Sequence, residues 1–286
     1  MTRSARSFYR NCLICMRKNE RRPVCLTCIG GRSNQEDNFL LNGVFLSEEQ
    51  QERLKNGTIL FMEQENCTES VQLYAVSDGM GGHRAGEVAS RICVKRLAEM
   101  LPVLRHCIDK QEAMEQLQRA VGRINAEIGN TKEPQNRGMG ATLVAMLRWN
   151  DQYSVLNIGD SRAYAFGPRG LIQLTRDQTE GERLLSLGLL TRRELAAFPD
   201  RKRLSRYLGY APEGFVMKAE ISEPENDTET LLLCSDGITD VLSDERISQI
   251  LTEYTDLKMA GKQILNEATV TTCADNATVI LIPLRM

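Results

Sequence analysis

The chain has 286 residues, 42% of them hydrophobic and 26% charged, with a formal net charge of −2. That length suits one large domain with a substantial core, and the near balance of charge argues against broad electrostatic attraction to nucleic acid or an anionic membrane. No apolar run approaches membrane-spanning length and the first residues lack a signal-peptide core, so a cytoplasmic, monomeric protein with neither nucleic-acid nor membrane partners is expected.

Alternating and continuous apolar patterns predict a first strand over 23–30 and a second over 38–46, with Gly30-Gly31 and then Glu36-Asp37 between them. Val71, Leu73, Ala75 and Val76 mark a buried strand over 71–77 that runs into Ser77-Asp78-Gly79-Met80-Gly81-Gly82-His83. The glycines let a backbone carbonyl turn toward the same point as Asp78 without a Cβ clash, and oxygen donors of this kind suit Mg²⁺ or Mn²⁺. An Asp-Gly turn between two elements is the plainer reading of this stretch alone. Apolar residues at helical spacing then predict two amphipathic helices, 86–104 and 108–130, adjacent and antiparallel. Strands over 141–148, 152–158, 161–167 and 170–174 follow, mostly joined by short turns. After them come a helical region over 179–209 and strands near 214–221, 229–234 and 276–283. There is no internal repeat and no low-complexity linker. The order indicates a mixed sheet protein, not a helical bundle or a Rossmann fold.

Acidic residues recur where strands begin or end. Glu36-Asp37 follows the first strand, Asp160 follows 153–159, Asp236 follows 231–234 and Asp275 precedes 276–282. Each taken singly reads as a turn or capping residue. Taken together they suggest strand ends converging on a cluster of cations, since so much negative charge packed without metal repels itself.

Seven segments, in order, resemble the metal-dependent serine/threonine phosphatases of the protein phosphatase 2C family in their short bacterial form. They are IGGRSNQEDN from Ile29, DGMGGHRAGEVAS from Asp78, GMGATL from Gly138, NIGDSRAY from Asn157, LTRDQT from Leu174, SDGITD from Ser235 and DNATVIL from Asp275. The resemblance implies an α+β fold of two stacked antiparallel β-sheets flanked by α-helices on both faces, a four-layer sandwich. It also implies a catalytic domain over 23–286 behind a short extension, 1–22, that carries a CxxC pair. The implied activity is hydrolysis of phosphoserine and phosphothreonine in phosphorylated proteins by a metal-activated water at a binuclear Mn²⁺ or Mg²⁺ centre, opposing a serine/threonine protein kinase. By the same resemblance Asp78 bridges two ions, Asp236 and Asp275 complete one site, and Glu36 with the Gly79 carbonyl serves the other. Asp37 acts as a direct ligand or through a bound water. Asp160, Asp236 and Asp240 form a third, weaker site, and Arg32 binds the phosphate through its planar fork. Met80 stands where many eukaryotic members have histidine, and Gln178 and Phe198 stand where members often do. His83 is read as fixing its turn and His106 as a surface or capping residue.

Three features fall outside that pattern. Cys12, Cys15, Cys25 and Cys28 have the pairing of a structural Zn²⁺ knuckle, yet the odd offset of Cys25 and Cys28 within a strand points them to opposite faces, so a redox or incidental thiol pair stands beside the zinc reading. Cys67, Cys93, Cys107, Cys234 and Cys273 read as scattered thiols. Arg192, Arg193, Arg201, Lys202, Arg203 and Arg206 make 179–209 the most basic region, either a solvated face or a contact for phosphorylated protein. Three rival functions are weighed: a catalytically weak phosphoprotein-binding relative, an N-terminal zinc module near Arg17, Lys18, Arg21 and Arg22, and a cysteine phosphatase built on Cys15 and Arg21. The last lacks a glycine-rich cradle between its two residues.

Overall fold

The computed structural model describes residues 21–54, 59–64, 69–81, 85–210, 215–271 and 275–284. Its strands are β1 (Val24–Cys28), β2 (Asp37–Leu41), β3 (Leu60–Glu63), β4 (Val71–Met80), β5 (Gly140–Ala141), β6 (Leu143–Trp149), β7 (Gln152–Ile158), β8 (Arg162–Gly167), β9 (Gly170–Gln173), β10 (Glu220–Ser222), β11 (Thr230–Cys234) and β12 (Ala277–Pro283). One sheet runs β3-β1-β12-β11-β8-β9. The other runs β10-β7-β6-β4-β2, with β5 on β4, and all these pairings among the described residues are antiparallel.

The two-residue period of each strand sorts its side chains into two layers. Phe39 and Leu41, Tyr74 and Val76, Val144 and Met146 from one sheet meet Leu231 and Leu233, Ile280 and Ile282 from the other in a dry interior layer. The alternate residues turn outward. Leu73, Ala75 and Leu147 pack under Ala85–Ala98, Leu101–Arg105 and Lys110–Gly129, while Leu26, Leu232 and Leu281 pack under Asp244–Glu253 and Leu257–Thr271. The result is helix, sheet, sheet, helix, the α+β sandwich that the motifs imply.

Several elements differ from the sequence reading. The helix expected over 86–104 is two, because Pro102 at the start of Leu101–Arg105 has no N–H with which to continue Ala85–Ala98. The second strand stops at Leu41, where Asn42 and Gly43 take positive φ values of 45° and 103°. Residues 179–209 hold only two short helices, Glu180–Ser186 and Arg192–Ala197, each capped by a threonine side chain. The reading over 214–221 shrinks to β10. The short helix Glu48–Arg53 and strand β3 went unanticipated, as did the helices over Asp244–Glu253 and Leu257–Thr271.

Cys25 and Cys28 lie on opposite faces of β1, Cys25 in the layer between the sheets and Cys28 under the helices. That pair therefore does not face one common ion as a zinc knuckle requires, and Cys12 and Cys15 lie outside the described residues, as do His83, Cys67 and Cys273. His106 ends Leu101–Arg105, its Nδ1 2.6 Å from the Pro102 carbonyl, in the capping role expected of it.

Candidate active site

The interior layer is apolar along its length and turns polar at one end. The β2–β4 register places Asp37 opposite Asp78, two residues beyond the Phe39–Val76 pair, so both carboxylates continue the inward-facing rows. From the other sheet Ser235 and Thr278 extend the rows of Leu233 and Ile280. Ser235 Oγ and Thr278 Oγ1 donate to Asp37 Oδ2 at 2.7 and 2.6 Å, while Asp37 Oδ1, fully buried, has no partner. Thr278 Oγ1 also lies 2.7 Å from Thr27 Oγ1, to which Gln35 Nε2 donates. This buried hydroxyl layer, through Asp37, joins the two sheets next to an open cleft.

The cleft, of about 440 Å³, is lined by Arg32, Glu36, Asp78, Gly79, Asp160, Asp236 and Asp275, among others. Asp37 is buried and does not line it, and Asp240 lines an adjoining space of about 170 Å³ that shares Asp160 and Asp236 with it. Parity explains the split between neighbours: Glu36 turns to the cleft and Asp37 to the interior.

Local structure fixes each group. Asp78 N–H donates to Thr142 Oγ1 at 2.9 Å, and that hydroxyl is 2.7 Å from Ser161 Oγ. Gly79 permits a close crossing, since a Cβ there would stand 1.9 Å from the Gly86 carbonyl oxygen. Asn276 stitches the 29–36 loop to the start of β12. Its Nδ2 donates to the Ile29 and Asn34 carbonyls at 2.8 and 3.0 Å, and its Oδ1 accepts from Glu36 N–H at 2.7 Å. Arg32 is thereby set beside Asp275, Nη2 to Oδ2 at 2.5 Å. At the opposite end Lys202, from the basic region, is ion-paired to Asp240 and lines the cleft too. Asn276 and Thr142 were not singled out from the sequence, and Lys202 was named there only as one of the basic residues of 179–209. The first two lie inside motifs, yet nothing in their spacing reveals a hydrogen bond across 240 or 64 residues.

So many carboxylates at one end of a sandwich raise one another's affinity for protons. Burial, then Asp236 and Asp275, push Asp37 up to about 7, against the two hydroxyl bonds that favour its charge. Asp160 is pushed to about 7 by burial, Asp236 and Asp177, and Asp236 to about 6 by burial, Asp240 and Asp275. Asp78 rises well above the usual range through burial and its neighbours Asp37 and Asp236, and Glu36 rises through burial despite Arg32. Among the described residues no three His, Cys, Asp or Glu side chains are closed into a finished metal-binding group. The donors nevertheless fit hard divalent cations. They are all oxygen, they repel one another, and Asp37 Oδ1 and Asp236 Oδ1 are both buried without a partner. Among the described residues no cysteine lines the cleft.

A carboxylate-rich cleft with an arginine fork, set at one end of a four-layer sandwich, defines a class of metal-dependent phosphoester hydrolase. The family model described as "Protein phosphatase 2C" matches residues 64–271. The serine/threonine phosphatase stp of Listeria monocytogenes is 34% identical over 209 residues, covering 72% of this chain and 82% of that protein. The crystal structure of the serine/threonine phosphatase Stp1 from Staphylococcus aureus superposes with a TM-score of 0.74 at 26% identity, over 92% of this chain and 95% of that one. The serine/threonine phosphatase PstP/Ppp of Mycobacterium tuberculosis does so with a TM-score of 0.69 at 27% identity, over 93% and 99%. The chain belongs to the protein phosphatase 2C family, as a metal-dependent serine/threonine protein phosphatase of the bacterial type.

Proposed function

We propose that this chain hydrolyses phosphoserine and phosphothreonine in proteins, using Mn²⁺ or Mg²⁺ held by the cleft carboxylates, and so opposes a serine/threonine kinase. The observation that carries the reading is the meeting of Glu36, Asp78, Asp160, Asp236 and Asp275, from both sheets, around one cleft with Arg32. Asp78 would bridge two ions, with Asp236 and Asp275 on one side and Glu36 with the Gly79 carbonyl on the other. Asp160, Asp236 and Asp240 would hold a third, and Asp37 would serve as a direct ligand or through a bound water. Bound there, such ions supply an activated water near neutral pH and positive charge toward the phosphoryl oxygens.

The chain's own residues do the positioning. Arg32 presents a planar fork to phosphoryl oxygens, and Asp275 holds that fork in orientation. Thr142 and Ser161 fix the turn that carries Asp78, and Asn276 fixes the loop that carries Glu36. Activity on a phosphothreonine peptide is expected to need added Mn²⁺ or Mg²⁺, to vanish in EDTA, and to fall at least about a hundredfold in Asp236→Asn or Asp78→Asn. Full turnover in Asp236→Asn would overturn the assignment.

A further inference from the structure

A second depression, of about 1000 Å³, shares no lining residue with the carboxylate cleft. It runs along the exposed face of the helix Lys110–Gly129, against the extended segment 215–219 and the start of β10. Its wall exposes large apolar side chains. Phe215, Val216 and Ile221 are 41%, 72% and 50% exposed, and Tyr210, 42% exposed, stacks edge-on against Phe215 at 5.7 Å. Scattered exposed apolar residues are ordinary, but three large ones gathered along one groove, with a fourth stacked on the first of them, mark a contact surface.

The groove is built rather than incidental. Two amide side chains seven residues apart on the helix hold the two ends of its wall. Gln118 donates to the Ala219 carbonyl at 3.0 Å and accepts from the Ala219 N–H at 2.9 Å, closing on that residue as a neighbouring strand would. Asn125 does the same for the other end, donating to the Tyr210 carbonyl at 3.0 Å and accepting from Gly209 N–H at 2.9 Å. The rim is basic on a chain whose net charge is −2: among the described residues Arg119, Arg123 and Lys218 line it with one carboxylate, Glu115. Glu115 stands 3.7 Å from Arg119 in an exposed pair, too weak to cancel that field. A lysine- or arginine-rich segment would be repelled here, and a purely apolar one would leave the guanidinium groups unused.

We infer that this groove docks an acidic segment bearing apolar side chains, contributed by a protein partner, at a site separate from the phosphate-handling cleft. The apolar side chains cover Phe215, Val216 and Ile221, and the carboxylates meet Arg119, Arg123 and Lys218.

The test uses the full chain and two fluorescent peptides, one alternating glutamate with leucine and phenylalanine, the other with lysine in place of each glutamate. Fluorescence anisotropy is expected to show the acidic peptide binding at least about tenfold more tightly than the lysine peptide, with the difference shrinking as salt rises. Arg119→Glu with Arg123→Glu is expected to weaken the acidic peptide at least about tenfold and leave hydrolysis of p-nitrophenyl phosphate unchanged, which also reports that the variant folds. Val216→Asp should weaken it as well. Equal binding of the two peptides, or undiminished binding to the double variant, would overturn the inference. So would a concentration-dependent dimer, seen by light scattering and lost in Val216→Asp, which would assign the groove to a second copy of the chain.

Discussion

Asp37 offers the sharpest test of the idea that this end of the sandwich is strained by its own charge. Its carboxylate is buried, accepts two hydroxyl bonds on Oδ2, leaves Oδ1 unpartnered, and is pushed up to about 7 from an ordinary 3.8. A carboxyl group that binds its proton more tightly folded than unfolded opposes folding once it must ionise. The penalty is absent below the unfolded value, grows as pH rises from about 4 to about 7, and is constant above. About three pKa units at roughly 1.4 kcal/mol each sets an upper limit of about 4 kcal/mol, shared with the neighbouring carboxylates that titrate with it. Asp37→Asn keeps the shape, keeps an acceptor and removes the charge. In EDTA the variant is therefore expected to match the wild type near pH 4 and to exceed it by about 1 to 4 kcal/mol at pH 8, measured by urea unfolding across that range. Millimolar Mn²⁺ should close the gap, because ligand that binds only the folded state adds about 2.7 kcal/mol to the wild type at a hundred times its dissociation constant. A gap that is flat with pH, or that narrows as pH rises, would refute the reasoning.

Two further substitutions probe how the cleft is held. In Gly237→Ala the new Cβ would stand 2.0 Å from the Asn276 carbonyl oxygen, so the Asp236 segment must move off the Asp275 segment. Stability is expected to fall by about 2 to 3 kcal/mol and phosphopeptide turnover by roughly a hundredfold, whereas Gly138→Ala, with nothing within 4 Å and only its φ of +79° to strain, should cost about 1 kcal/mol. Wild-type turnover in Gly237→Ala would show that the approach of Asp236 to Asp275 is unimportant. Asn276→Ala removes a buried amide that serves three backbone groups. A loss of about 2 to 4 kcal/mol in thermal unfolding is expected, along with weaker Mn²⁺ binding by calorimetry, since Glu36 loses its anchor.

How much of this was legible in the sequence follows from which forces are local. Each carboxylate of the cleft stands next to a run whose apolar pattern is set by its own strand, so Asp78 after 71–77 and Asp236 after 231–234 could be read as strand-end residues without knowing the fold. The odd offset of Cys25 and Cys28 is equally local, and the two thiols do lie on opposite faces. The same parity rule separates Glu36 from Asp37, but its consequence depends on a second sheet whose Ser235 and Thr278 are about 200 and 240 residues away. Long-range partners also decide the failures. Residues 215–219 look like strand and are not, because the ladder position beside Ala219 is taken by the Gln118 side chain. Residues 179–209 are expected to be a helical region, whereas backbone pairing of Glu180 and Gly181 with Arg203 and Arg201 folds them back on themselves. That fold-back is what delivers Lys202 to Asp240 at the rim of the cleft. The carboxylates themselves are thus local features of single strands, while their shared environment, the unpartnered oxygens of Asp37 and Asp236 included, is made only when the two sheets close.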